Sequence, residues 1–172
     1  MNSWTHFFPA TLKAFALAIA FMICIFACHR KKLPFSAYHT SVQQNHTLRQ
    51  GVKGQVLFRE GDFHPDGQPG NNARIYGVER TVLVYELTSQ RAVEQGEGDF
   101  LTNVLSEYKD SARTNEYGVF QISLSPGKYS LFVRENSRFY SRVNEKGYYW
   151  PVEVKKDSIS QITLEVEYRA KY

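Results

Sequence analysis

The chain has 172 residues, of which 42% are hydrophobic, 22% charged and 15% aromatic. That composition is too apolar for a disordered chain, and the length fits one domain better than two. Lysine and arginine number 21 against 17 aspartate and glutamate, a formal charge of +4 that raises the question of nucleic-acid binding.

Residues Ala14–Ala27 read AFALAIAFMICIFA, fourteen apolar positions without a charge. A transmembrane helix needs about 20 such residues, whereas the apolar region of a signal peptide needs about 7–15. Lys13 supplies the positive charge ahead of the run, which ends in Ile25-Phe26-Ala27-Cys28. This ending resembles the lipobox of bacterial lipoproteins, with an aliphatic residue, then a small residue, directly before a cysteine. The resemblance implies a signal peptide cleaved between Ala27 and Cys28, with palmitate-type acyl chains on Cys28. Several chains at about 0.8 kcal/mol per buried CH₂ hold a protein at a membrane durably, where one does not. Cys24 fits less well, because the residue before it is the bulky Ile23. An uncleaved anchor from about Phe7 to Ala27 and ordinary cleaved secretion are the alternatives. With Cys24 removed and Cys28 acylated, the mature domain would have no disulfide and no thiol nucleophile.

His29-Arg30-Lys31-Lys32 then forms a basic cluster beside the lipid. His29 stands where aspartate would be the inner-membrane retention signal of some lipoproteins, so the resemblance implies the outer membrane. From Leu33 to Gln50 the chain is polar without a sustained period, which predicts a linker. The predicted organisation is a signal peptide over 1–27, a lipidated cysteine and tether over 28–50, and a folded domain over 51–172.

The domain reads as strands. Val52, Gly54, Val56 and Phe58 alternate with Lys53, Gln55, Leu57 and Arg59, and Thr81–Leu87 (TVLVYEL) is an apolar run fit for a central strand covered on both faces. Phe120, Ile122 and Leu124 alternate with polar neighbours. Ser125-Pro126-Gly127-Lys128 predicts a tight turn with glycine at positive φ, so Val119–Glu135 reads as a hairpin. Ile162, Leu164, Val166 and Tyr168 give the cleanest period of two. No comparable helical period exists, and the fold class is an all-β sandwich of about seven strands.

The succession Val52-Lys53-Gly54-Gln55-Val56, TVLVYEL, Thr114-Asn115-Glu116-Tyr117-Gly118-Val119-Phe120 and Pro126-Gly127-Lys128-Tyr129-Ser130-Leu131 resembles the carboxypeptidase regulatory-like domain. The resemblance spans about Gly51 to Tyr168 and implies a seven-stranded, transthyretin-like (prealbumin-like) β-sandwich. Gly118 is expected at a left-handed turn position, where a side chain would be costly. Two stretches depart from the pattern, Arg59–Glu79 and Thr88–Leu105, and loops of that length are expected to be functional or mobile.

Candidate chemistry is sparse. Asp62-x-His64-x-Asp66-Gly67 has the outline of a calcium loop, but histidine is a poor calcium ligand and Ala73 stands where a bidentate glutamate is needed. It supports only a minor reading, a metal-dependent enzyme built on Asp62, His64 and Asp66. No HExxH, GxSxG, phosphate loop or CxxC occurs, so neither an enzyme, a metal nor a cofactor is expected. In Tyr148-Tyr149-Trp150, alternation turns Trp150 inward with Tyr148, Val152 and Val154 and leaves Tyr149 outside. Phe63, Tyr76 and Tyr149 are therefore the weak candidate ligand surface, as a protein contact or a glycan platform. The expected role is a non-enzymatic interaction or scaffold lipoprotein with an envelope protein partner, the alternative a glycan-binding accessory protein.

Placing the charges answers the opening question. Lys13, Arg30, Lys31 and Lys32 precede Leu33 with no acidic residue to offset them, which leaves 17 basic against 17 acidic from Leu33 onward. The chain beyond the basic cluster carries no excess positive charge for nucleic acid.

Overall fold

The computed structural model describes residues 48–172; the predicted signal peptide, Ala27, Cys28 and the linker up to residue 47 lie outside the described residues. The described chain is all-β, with no α-helix and two sheets in a sandwich-like arrangement. Eleven strands form where about seven were expected: β1 Gly51–Asp62, β2 Arg74–Gly77, β3 Thr81–Glu86, β4 Val93–Gln95, β5 Phe100–Val104, β6 Tyr108–Arg113, β7 Val119–Ser123, β8 Gly127–Glu135, β9 Arg138–Tyr140, β10 Pro151–Val154 and β11 Ile159–Lys171.

One sheet runs β11-β1-β2, with β7 also on β1. β1 pairs β11 in parallel along one edge, while its other edge takes β7 over Gly51–Gln55 and β2 over Leu57–Glu60. The larger sheet runs β4-β5-β9-β8-β3-β6, with β10 added on β8. Between the sheets lies a core of Val52, Val56, Val84, Phe120, Leu131, Leu164 and Val166, among others, each supplied by the period of two read from the sequence. β3 is central as expected, paired to both β8 and β6 and buried from Val82 to Tyr85.

The predicted hairpin over Val119–Glu135 does not form. β7 pairs β1 in one sheet and β8 pairs β3 in the other, so the Ser125–Gly127 turn is an arch across the sandwich. Arch and hairpin need the same tight turn, and the choice is made by the strands waiting on either side. Gly127 is also absent from the positive-φ glycines; its missing side chain instead makes room for Tyr129, whose ring atoms would lie 3.0–3.3 Å from a Cβ there. Gly118 does adopt φ +76, and a Cβ on it would meet the Val56 carbonyl oxygen at 2.2 Å.

Both insertions are structured. The first extends β1 past Phe58 and returns as β2. The second makes β4 and β5, which widen the large sheet beyond β9. Its opening residues pass from β3 to β4 tied to the sheet: Thr88 N–H donates to Ser130 Oγ at 2.9 Å, Tyr149 N–H to Thr88 O at 3.1 Å, and Gln90 N–H to Gly147 O at 3.0 Å. On this outer face a second apolar cluster forms from Leu83, Tyr85, Leu101, Val104, Phe132, Phe139 and Tyr149, with Val93 packed against it.

Candidate functional surface

The three candidate aromatics occupy separate places. Phe63, 5% exposed, follows β1; its N–H donates to Lys171 O at 2.7 Å, its ring lies 5.9 Å from that of Tyr172, and the Arg59 guanidinium sits 4.4 Å over it. Tyr76 is half-buried on β2, 5.7 Å from the Phe58 ring, and burial is the first cause that raises its hydroxyl pKa. Tyr149 is 3% exposed, 5.5 Å from Phe132, and its hydroxyl accepts from Gln95 Nε2 at 3.0 Å.

Tyr149 and Trp150 do point to opposite sides, as alternation requires, but the side Tyr149 takes is a second core rather than solvent. Tyr148 belongs to neither cluster; it bridges to Ser89 instead. Trp150 packs against the inner core beside Tyr140 with φ +24, held by its N–H on Arg142 O and its carbonyl on Leu131 N–H. The expectation of an outward Tyr149 is thereby corrected, and the three aromatics make no shared platform.

Asp62, His64 and Asp66 are used in turn formation. His64 N–H donates to Gln68 O and its carbonyl accepts from Gly67 N–H, both at 2.8 Å. Asp66 Oδ1 accepts from Gln68 N–H, and Asp62 Oδ2 from the Asn72 amide. Among the described residues no group of three histidine, cysteine or acidic side chains is placed to hold a metal ion.

Periodicity does not register the buried polar network at one end of the sandwich. Glu135, 5% exposed, accepts from Arg80 Nε and from the Tyr168 hydroxyl. Thr114 Oγ accepts from Arg80 N–H and donates to Val78 O, each at 2.6 Å. Beside it lies a groove of about 490 Å³ whose lining includes Lys53, Glu79, Arg113, Thr114, Asn115 and Gln121. Asn115 Oδ1 accepts from the Tyr117 and Val119 amides, while Arg113 and Glu79 form an exposed pair at 3.5 Å.

The opposite end is where the chain joins β1. Gln50 spans two turns there, its amide donating to Leu124 O at 2.8 Å and its carbonyl accepting from Asp157 N–H at 2.9 Å. Gly51 N–H donates to Ser158 O at 3.1 Å. Arg49, Lys128, Lys155 and Lys156 are exposed around this point.

β6 is an edge of the large sheet, exposed at every residue except the half-buried Ala112. It carries the usual guards of an edge: a register shift against β3, Lys109 bridged to Glu86 and Glu107 at 2.8 Å each, and Asp110 Oδ1 on the Ser111 N–H at 2.7 Å. The Lys109 hydrogen bond holds the Glu107 carboxyl below its usual range.

No protein-family model, no curated protein and no solved structure matches the chain.

Proposed function

We propose that this chain is a bacterial envelope lipoprotein, acylated on Cys28 after cleavage behind Ala27. Its transthyretin-like, carboxypeptidase regulatory-like sandwich then serves as a non-enzymatic interaction or scaffold module at the outer membrane. The observation that carries the reading is Ile25-Phe26-Ala27-Cys28 at the end of an uncharged apolar run, Ala14–Ala27, ahead of a basic tether. Support for binding rather than chemistry comes from how the domain uses its polar groups. Arg59, Arg80, Thr114, Asn115 and Glu135 are each engaged in internal hydrogen bonds that tie turns or sheets together.

The glycan-binding alternative loses its support, since two of its three aromatics are at most 5% exposed. The partner of the favoured reading is another envelope protein.

The address is tested by fatty-acid labelling in a bacterial host: the parent takes up label, and Cys28→Ser does not. Labelling that persists in the serine variant would refute the lipobox assignment. The role is tested by cross-linking in the intact envelope, where a recurrent protein adduct is expected and its repeated absence counts against a scaffold.

A further inference from the structure

We infer that the end of the sandwich where the chain joins β1 is a docking surface for anionic lipid headgroups. The inference rests on the lipid-anchor reading above and adds to it a defined face of the domain. Twenty-two positions separate Cys28 from Gln50. With a lipid on Cys28, a second contact at this end is intramolecular, so weak attractions suffice.

The chemistry of the end suits that contact. Gln50 is pinned between the Leu124 carbonyl and the Asp157 amide, which fixes the β7–β8 and β10–β11 turns around the point where the chain arrives. Arg49, Lys128, Lys155 and Lys156 are exposed on or beside these turns, and none takes part in an ion pair among the described residues. Against these four cations stand Glu153, the register partner of Lys128, and Asp157, which leaves a local charge of +2. Glu86 and Glu107 lie toward the same end of the large sheet and share Lys109, which brings the end as a whole to +1. Arg30-Lys31-Lys32, adjacent to the lipidated residue, adds three charges to the same membrane. The chain from Leu33 onward is neutral as a whole, so a basic end must be matched by acidic surface elsewhere, and the molecule orients in the field of an anionic leaflet.

The test uses the full acylated chain in neutral phosphatidylcholine vesicles and in vesicles containing phosphatidylglycerol, with a headgroup quencher in both. One fluorophore is placed on Ser158→Cys. A second goes on His64→Cys, beyond the far end of β1, which is roughly 35 Å long at 3.3 Å per residue. The Ser158 probe is expected to be quenched only on the anionic vesicles and released near 1 M salt, where the screening length is about 3 Å. The His64 probe should stay bright. Changing Lys128, Lys155 and Lys156 to glutamine should reduce the docked-to-free ratio about 100-fold, at about fivefold per charge. These lysines are exposed, so the triple variant is expected to keep the parent's melting temperature. An unquenched Ser158 probe, equal quenching of both probes, or a triple variant that docks like the parent would each overturn the inference alone. A chain that fails to float with neutral vesicles overturns the anchor reading, and the docking surface with it.

Discussion

Tyr149 separates a core residue from a ligand platform by energy. Replacing it with alanine removes a ring packed 5.5 Å from Phe132 in a site 3% exposed. Truncating a buried aromatic to alanine costs about 3–5 kcal/mol. Against a typical stability of about 5–15 kcal/mol, that is a large fraction. Tyr149→Phe keeps the ring and loses only the hydrogen bond from Gln95, which is exposed and can turn to water, so its cost is about 0.5–1 kcal/mol. Urea unfolding of the full chain, followed by near-ultraviolet circular dichroism, measures both. A surface platform would give the opposite result, with alanine nearly neutral. An alanine cost below about 1 kcal/mol would refute the second-core assignment.

Three further outcomes follow from geometry. Gly118→Ala should cost more than about 3 kcal/mol, because it adds a left-handed-backbone penalty of about 1–2 kcal/mol to a contact of 2.2 Å with the Val56 carbonyl; Gly98→Ala, at φ +61 with nothing within 4 Å, should cost the backbone term alone, and equal midpoints for the two would contradict this. Lys109→Val with Asp110→Val removes two guards of the β6 edge, and sedimentation velocity should show a concentration-dependent rise in mass over the parent; an unchanged mass would mean that the register shift alone protects the edge. The Tyr140 hydroxyl, buried and accepting from Glu167 N–H, has its pKa pushed up to about 12. Below pH 10 folded and unfolded chains both hold this proton, so the stabilisation is fully present. Between about pH 10 and 12 only the unfolded chain ionises, and stability falls by roughly 3 kcal/mol from this group. Tyr140→Phe should flatten that part of the alkaline decline, and a decline as steep as the parent's would contradict it.

The strands that dominate the core were legible because their signal is local. Val52–Phe58, Phe120–Leu124 and Ile162–Tyr168 each announce their faces by alternation, Thr81–Glu86 announces burial on both faces by its apolar run, and Gly118 announces its turn by being glycine between Tyr117 and Val119. What stayed hidden depends on partners distant in sequence. Ser125-Pro126-Gly127 encodes a reversal, yet whether it closes a hairpin or an arch depends on β1 and β3, about seventy and forty residues upstream. β6 reads Tyr-Lys-Asp-Ser-Ala-Arg, which has no apolar face because it hangs at an edge and buries little. Glu135 looks like any strand-end charge until Arg80 and Tyr168 arrive from other strands. Periodicity turns Tyr149 away from Trp150, but that Leu101, Val104 and Val93 pack on that side is fixed by the fold of the second insertion.

That packing also bears on where a partner of the proposed scaffold would bind. In a sandwich of two bare sheets the outer face of the larger one would be the natural platform, with Tyr85, Phe132, Phe139 and Tyr149 available to contact a ligand. Here those rings pack on one another, Phe132 edge-on to Tyr85 at 5.4 Å and to Phe139 at 6.3 Å, and all four are at most 8% exposed. The second insertion adds Val93, Leu101 and Val104 to this cluster, so the face is a core. The β6 edge is guarded by charge and by a register shift, and β11 at the other side of its sheet is engaged through Tyr140, Phe100 and Tyr168. On the scaffold reading proposed above, this favours the two ends of the sandwich over the outer face of the larger sheet as places for a contact. One end carries the Arg80–Glu135 pair and Thr114, from which the groove runs along β7 as far as Lys53 and Gln121. The other carries the chain's junction with β1 and its four lysine and arginine side chains. If the basic end meets the lipid surface, the groove end is the one that remains for a protein partner. Charge changes at Arg113 or Glu79 should then alter cross-linking in the envelope without changing vesicle docking, whereas changes at Lys155 and Lys156 should do the reverse.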